Sequence, residues 1–222
     1  MIEPLKVTAH LLDGRIASTD LMLPLDSLLA WAWITKHRPE LLNVTMANYS
    51  NIFQPPLPLD RIEAQGTWYY ACSFACADPK AELRSYWNKR FDATEAEQAV
   101  DFGKRKAKIN KQAGLYRGHH SPLCVFLLPK LEWYARGDGA EVESLLSSVT
   151  HLGKKRSQGY GLVREWEVET WSEDLSWLRP VPDPNGDEIM GVHAPYWLIQ
   201  DHVRVSWPND NGRLAARKIL AP

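Results

Sequence analysis

The stretch His151–Val163, HLGKKRSQGYGLV, holds the residue types best suited to chemistry with an anion. Lys154, Lys155 and Arg156 supply positive charge, and Gly153, Ser157, Gln158, Gly159, Tyr160 and Gly161 complete the loop around them. Glycines allow positive φ and close backbone approach, so the N–H groups of such a loop can turn toward a phosphate. The G-x-x-x-x-G-K-[ST] order is absent, and the loop precedes a strand pattern where a P-loop would precede a helix. A nucleoside triphosphate site is therefore not expected.

A second basic segment lies upstream. From Phe102 to Leu131 there is no Asp or Glu, while Lys104, Arg105, Lys106, Lys108, Lys111, Arg117 and Lys130 all fall there. The whole chain carries 26 basic and 27 acidic residues, for a net charge of −1. Its positive field is thus local, as a polyanion site on one surface requires. The alternative is a solvated basic loop. A polyanion that is a single-stranded nucleic acid would be gripped by stacking as well as by phosphate contacts, and Tyr116, Tyr160 and Arg156 offer planar groups beside the charges.

Acid–base chemistry has four candidates: His10, His119, His120 and His151. General acid–base catalysis needs one group to take a proton and another to give one. His119 and His120 adjoin Arg117, but neighbouring residues of a strand point to opposite faces, so adjacency does not make them a pair. The three cysteines offer neither a disulfide framework nor zinc spacing, Cys72 and Cys76 being four apart and Cys124 alone. Packed thiols are expected, with no metal and no other cofactor.

The elements that must position these residues follow from periodicity. LKVTAHL alternates, with Val7, Ala9 and Leu11 on one face and Lys6, Thr8 and His10 on the other, and predicts a half-buried strand. Leu25, Leu28, Leu29 and Ala32 recur at helical spacing. TWYYACSFA predicts a second strand. Asp78–Pro79 is a helix-start signal, and KAELRSYWNKRF is expected to be helical. LCVFLLPKLEWYA predicts a third strand, with an edge or bulge at Pro129. Val142, Leu145, Leu146 and Val149 mark a second helix face, closed by Gly153. GYGLVREWEVETW predicts a fourth strand.

The expected fold is α+β, a ferredoxin-like (RRM-like) βαββαβ core over residues 1–171, with a basic insertion at about 78–122 between strands 2 and 3. Residues 172–222 are expected to form a C-terminal extension packing on the same domain. A chain of 222 residues, 45% of them apolar, can bury a sizeable core. No run approaches the ~18 apolar residues of a membrane span. The start, MIEPLKVTAH, lacks the pattern of a signal peptide, so a cytoplasmic protein without membrane contact is expected.

The core pattern, the loop GKKRSQGYG and the LRPVP that follows resemble the RAMP superfamily of CRISPR-associated proteins. The segments LDGRIASTDLMLPLDSLLAWAWI, KRKAKINKQAGLYRGHHSPL and APYWLIQDHVRVSWP are most similar to the Cas-five-like small subunit of type IV effector complexes. The resemblance implies a non-catalytic subunit that holds the 5′ handle of a CRISPR RNA and caps a filament of backbone subunits. It also implies contact with the large subunit and a position near the motif flanking the target DNA. The other reading is a Cas-six-like metal-independent endoribonuclease that processes precursor CRISPR RNA. A ribosome-associated module fits the basic block but leaves the loop and LRPVP without a role. Ten tryptophans exceed what the element periods can turn inward, and some are expected at an assembly interface, foremost those of the C-terminal stretch.

Overall fold

The computed structural model describes residues 1–43, 53–89, 92, 95, 98 and 117–208. Its elements run β1 (Glu3–Leu11), β2 (Arg15–Ala17), α1 (Leu25–His37), β3 (Arg61–Ala64), β4 (Thr67–Tyr70), β5 (Ala81–Lys89) and β6 (His119–Leu127). They continue with β7 (Lys130–Gly137), α2 (Gly139–Leu146), β8 (Val163–Thr170), β9 (Val181–Pro182), β10 (Glu188–Met190) and β11 (Val203–Ser206). The architecture is mixed α/β, with few helices and many antiparallel strands.

Strand β1 lies between β7 and β8, antiparallel to both. Its alternation works as the sequence predicts, except that Thr8 on the polar face is buried as well. Leu5, Val7, Ala9 and Leu11 join Leu131, Trp133 and Ala135 of β7, Leu25, Leu29 and Ala32 of α1, and Val142, Leu145 and Leu146 of α2 in one buried core. The other edge of β7 carries an irregular partner, residues 71–76. Ser73 N–H donates to the Tyr134 carbonyl at 2.7 Å, Cys76 N–H to that of Glu132 at 2.7 Å, and Arg136 N–H to that of Ala71 at 2.8 Å. The opposite face of this sheet is rich in carboxylates: Glu132, Glu165, Glu167 and Glu169 lie level with Lys6, Thr8 and His10.

Three expectations need correction. KAELRSYWNKRF is not helical as far as Lys89. Residues 81–89 form β5, paired over their whole length with β6. The Asp78–Pro79 signal is local, whereas Leu83, Ser85, Trp87 and Lys89 alternate against Val125, Leu123, Ser121 and His119, a pairing that only the tertiary fold supplies. LCVFLLPKLEWYA is two strands in different sheets, since β6 pairs with β2 and β5 while β7 pairs with β1. Proline has no N–H to give a ladder, and the chain turns there, with Leu128 N–H donating to the Gly14 carbonyl and the Pro129 carbonyl accepting from Leu11 N–H. Finally, α2 ends at Leu146, short of Gly153. The hydroxyls of Ser147 and Ser148 bond back to the carbonyls of Ser144 and Leu145, both at 2.8 Å, and compete with the helix's continuation.

The hairpin β3–β4 was not expected. Its turn, Gln65–Gly66, has φ of 53° and 76°, the pair of left-handed residues that a tight hairpin turn demands. Beyond β8 the chain returns to the core through Arg179, which is fully buried. Its guanidinium donates to the carbonyls of Tyr70 (2.8 Å), Cys72 (3.2 Å) and Val192, and to the hydroxyl of Tyr196 (3.0 Å). The small sheet β10-β11-β9 follows from this anchor. Of the tryptophans, Trp133 is buried with its indole N–H on the Leu23 carbonyl, and Trp166 donates to that of Val149. Trp31 and Trp197 are exposed.

Candidate nucleic-acid interface

Strand β2 pairs with β6 on one side only, and the loop Gly153–Gly161 docks along its other edge. Lys154 N–H donates to the Ala17 carbonyl at 2.6 Å and Gly161 N–H to that of Arg15 at 2.8 Å, so both ends of the loop are clamped on β2. Leu152 N–H closes the neck on the Gly161 carbonyl at 2.8 Å. A Cβ on Gly153, where φ is 74°, would lie 2.5 Å from the Ala17 carbonyl oxygen, and one on Gly161 would overlap that of Leu152. These two glycines therefore serve the protein's own close packing. Among the described residues no atom lies within 4 Å of a Cβ placed on Gly159.

The same geometry revises the sequence-based view of the loop. The N–H groups of Lys154, Gln158, Gly159 and Gly161 are taken by the carbonyls of Ala17, Lys155, Arg156 and Arg15, so these four are not aimed at a ligand. What the loop presents is side-chain charge. Arg156, Ser157, Gln158 and Gly159 are exposed, forming or ending one turn of 3-10 helix, and Lys154 Nζ reaches Thr19 Oγ1 at 3.2 Å.

Three cations of this surface meet aromatic rings. Lys155 Nζ lies 3.3 Å from the ring centroid of Trp87 on β5, Arg156 lies 5.8 Å from Trp31 on α1, and Arg15 on β2 lies 5.6 Å from Tyr160. Adjacent loop residues thus reach in two directions, to the β5–β6 ribbon and to α1. Tyr160 packs on a satellite core of Ala17, Leu123 and Val125, which holds the loop against the ribbon. Asp13 pairs with Arg15 at 2.6 Å, and no acidic residue lies within the loop itself.

Of the other sequence-predicted residues, Arg117 and His119 are exposed at the start of β6. His119 lies opposite Lys89, on the same ribbon as Trp87. Lys104, Arg105, Lys106, Lys108, Lys111 and Tyr116 lie outside the described residues. The histidines occupy different surroundings. His120 meets Asn88 Oδ1 through Nδ1 and stacks on Tyr86 at 4.6 Å, while His10 faces Glu167 at 3.2 Å on the carboxylate-rich sheet face. His151 contacts Thr150 Oγ1 at 3.0 Å below the loop neck. Among the described residues no group of three or more His, Cys, Asp or Glu could hold a metal ion, and burial pushes the Cys76 thiol up to about 12.

The family model of CRISPR type IV associated protein Csf3 matches residues 3–208. The chain belongs to that family. No curated protein matches it. The matched span includes the loop, the ribbon and the Arg179 anchor, so all of the surface described above is part of a type IV CRISPR-associated subunit. Among the described residues no helix is long and apolar enough to cross a membrane.

Arg15, Trp31 and Trp87 escape sequence reasoning because each is far along the chain from the loop it meets. The only hint was the excess of tryptophan. Trp87 in particular sits in a segment whose local signals pointed to a helix.

Proposed function

We propose that the chain is a non-catalytic RNA-binding subunit of a type IV CRISPR effector ribonucleoprotein, in which the loop 153–161 and the β5–β6 ribbon hold the 5′ handle of the CRISPR RNA. The observation that carries the reading is the set of cation–ring pairs around one acid-free loop, since unpaired RNA is bound by phosphate contacts together with flat surfaces. The sheet order, with residues 71–76, β7, β1 and β8 in sequence and two helices on one face, supports a ferredoxin-like, RAMP-type core. RNA-recognition sheets of that kind expose aromatics on the open face. Here that face carries Tyr134, but its Lys6, Lys130 and Arg136 are each paired with carboxylates, which favours the loop side. The capping of a backbone filament, contact with the large subunit and proximity to target DNA belong to the same reading.

The test is binding of a CRISPR RNA repeat fragment at several salt concentrations. Replacing Lys154 and Arg156 by alanine should weaken binding and flatten the salt dependence, by roughly 0.7 in log–log slope for each phosphate no longer neutralised. The same holds for Lys104, Arg105, Lys106 and Lys108. Unchanged slopes in both variants would show that neither surface meets RNA.

A further inference from the structure

Lys155 adopts φ 56° and ψ 37°, a left-handed conformation that L residues with a side chain resist. Among the described residues other than glycine, only Gln65, in the β3–β4 hairpin turn, shares a positive φ. The conformation of Lys155 has a visible consequence, because it lays the ammonium directly on the face of Trp87 at 3.3 Å. Opposite Trp87 on β6 stands Ser121, small and exposed, in place of a bulky directly cross-strand side chain. Tyr160, packed on Ala17, Leu123 and Val125, keeps the loop backbone in place while the Lys155 side chain remains long enough to swing.

We propose that Trp87 is a stacking platform for one unpaired nucleotide. In the free protein Lys155 covers the ring. In the complex a base takes the ring face and the ammonium moves to the phosphate of that nucleotide or the next. The proposal rests on the RNA-binding reading and narrows it to single-stranded RNA, because the faces of a base inside a duplex are covered by its neighbours. It also implies tolerance of base identity at this position, since every base offers a π-face. The exchange suits the local charges: the loop has no acidic residue to retain Lys155, and Lys154 and Arg156 flank it to steer the phosphate.

The test compares two fluorescent probes of equal phosphate count, a short single-stranded oligoribonucleotide of mixed sequence and an oligomer of the same length built of abasic spacers. Trp87→Ala should weaken binding of the base-bearing probe roughly tenfold and leave the abasic probe unchanged, with Trp87→Phe intermediate. Equal weakening on both probes would overturn the platform and point to charge or folding. Equal binding of the two probes by the wild-type protein would also overturn it, while leaving phosphate binding by the loop intact. Should the wild-type protein bind neither probe, the RNA-binding reading falls and the platform falls with it.

Discussion

Arg179 and Asp26, both fully buried, are joined through the hydroxyl of Tyr196. That hydroxyl donates to the Asp26 carboxylate, 2.9 Å from Oδ1 and 3.0 Å from Oδ2, and accepts from the Arg179 guanidinium at 3.0 Å. Burial opposes the Arg179 charge, but Tyr196, Cys72 and Asp26 outweigh it and hold the pKa above its ordinary value. The chain beyond β8 is thereby tied to the first turn of α1 through one phenol.

Tyr196→Phe keeps the ring against Phe74 and removes only the bridge. Two buried charged groups are then each left one hydrogen bond short, a change that costs about 2 kcal/mol or more. Urea denaturation should show this as a lower midpoint, and limited proteolysis should cut first in the chain after Trp171. A variant as stable as wild type would mean that the extension is held by its apolar contacts alone.

The pH dependence of Asp26 has a definite sign. Burial raises its carboxyl above the ordinary 3.8, with Arg179 and Tyr196 offsetting part of the shift. A carboxyl that holds its proton more tightly when folded contributes stability that is fully present below the unfolded pKa and is lost as pH rises through the raised folded value. Asparagine does not titrate. The stability of wild type relative to Asp26→Asn should therefore fall as pH rises from about 4, then level off. A difference that grows with pH would contradict the raised pKa.

The loop glycines should separate into two classes. Alanine at Gly153 or Gly161 forces a Cβ into the Ala17 or Leu152 carbonyl, so both variants should lose at least about 2 kcal/mol of stability, as in other overpacked sites. Among the described residues Gly159→Ala meets no atom within 4 Å and carries only the cost of positive φ, about 1 kcal/mol. Thermal denaturation followed by circular dichroism measures both. A Gly159→Ala variant that no longer binds RNA, without a matching drop in stability, would reveal a backbone approach by the ligand there.

His119 and His120 test the enzymatic alternative. His120 is engaged with Asn88 and Tyr86, and His119 points to the other face of β6. The double alanine variant should process precursor CRISPR RNA in a reconstituted system as wild type does. Loss of cleavage with RNA affinity retained would favour the endoribonuclease.

The parts of the fold legible in the sequence are those governed by neighbours on the same element. β1 alternates at Val7, Ala9 and Leu11 and is a strand, and Leu25, Leu29 and Ala32 mark α1 correctly. The second helix is marked by Val142, Leu145 and Leu146 but ends earlier than its spacing predicts, because two serine hydroxyls compete with the backbone where the apolar spacing still runs on. The segment at β5 misleads for the converse reason: its partner residues lie thirty or more positions away, beyond a basic stretch that carries no pairing signal.

By itself the sequence determined that a cationic, glycine-bounded loop would lie between the second helix and the last core strand, because charge and backbone freedom belong to residues one at a time. It also carried the family pattern matched over residues 3–208. Only the tertiary structure decided what those charges face. Lys155 meets Trp87 because β5 pairs with β6 and β6 with β2, on whose free edge the loop docks. Arg179 becomes a buried anchor because its partners come from Tyr70, Cys72, Val192 and Tyr196, four positions brought together by long-range packing. Contacts of that kind depend on distances in space that no local spacing encodes.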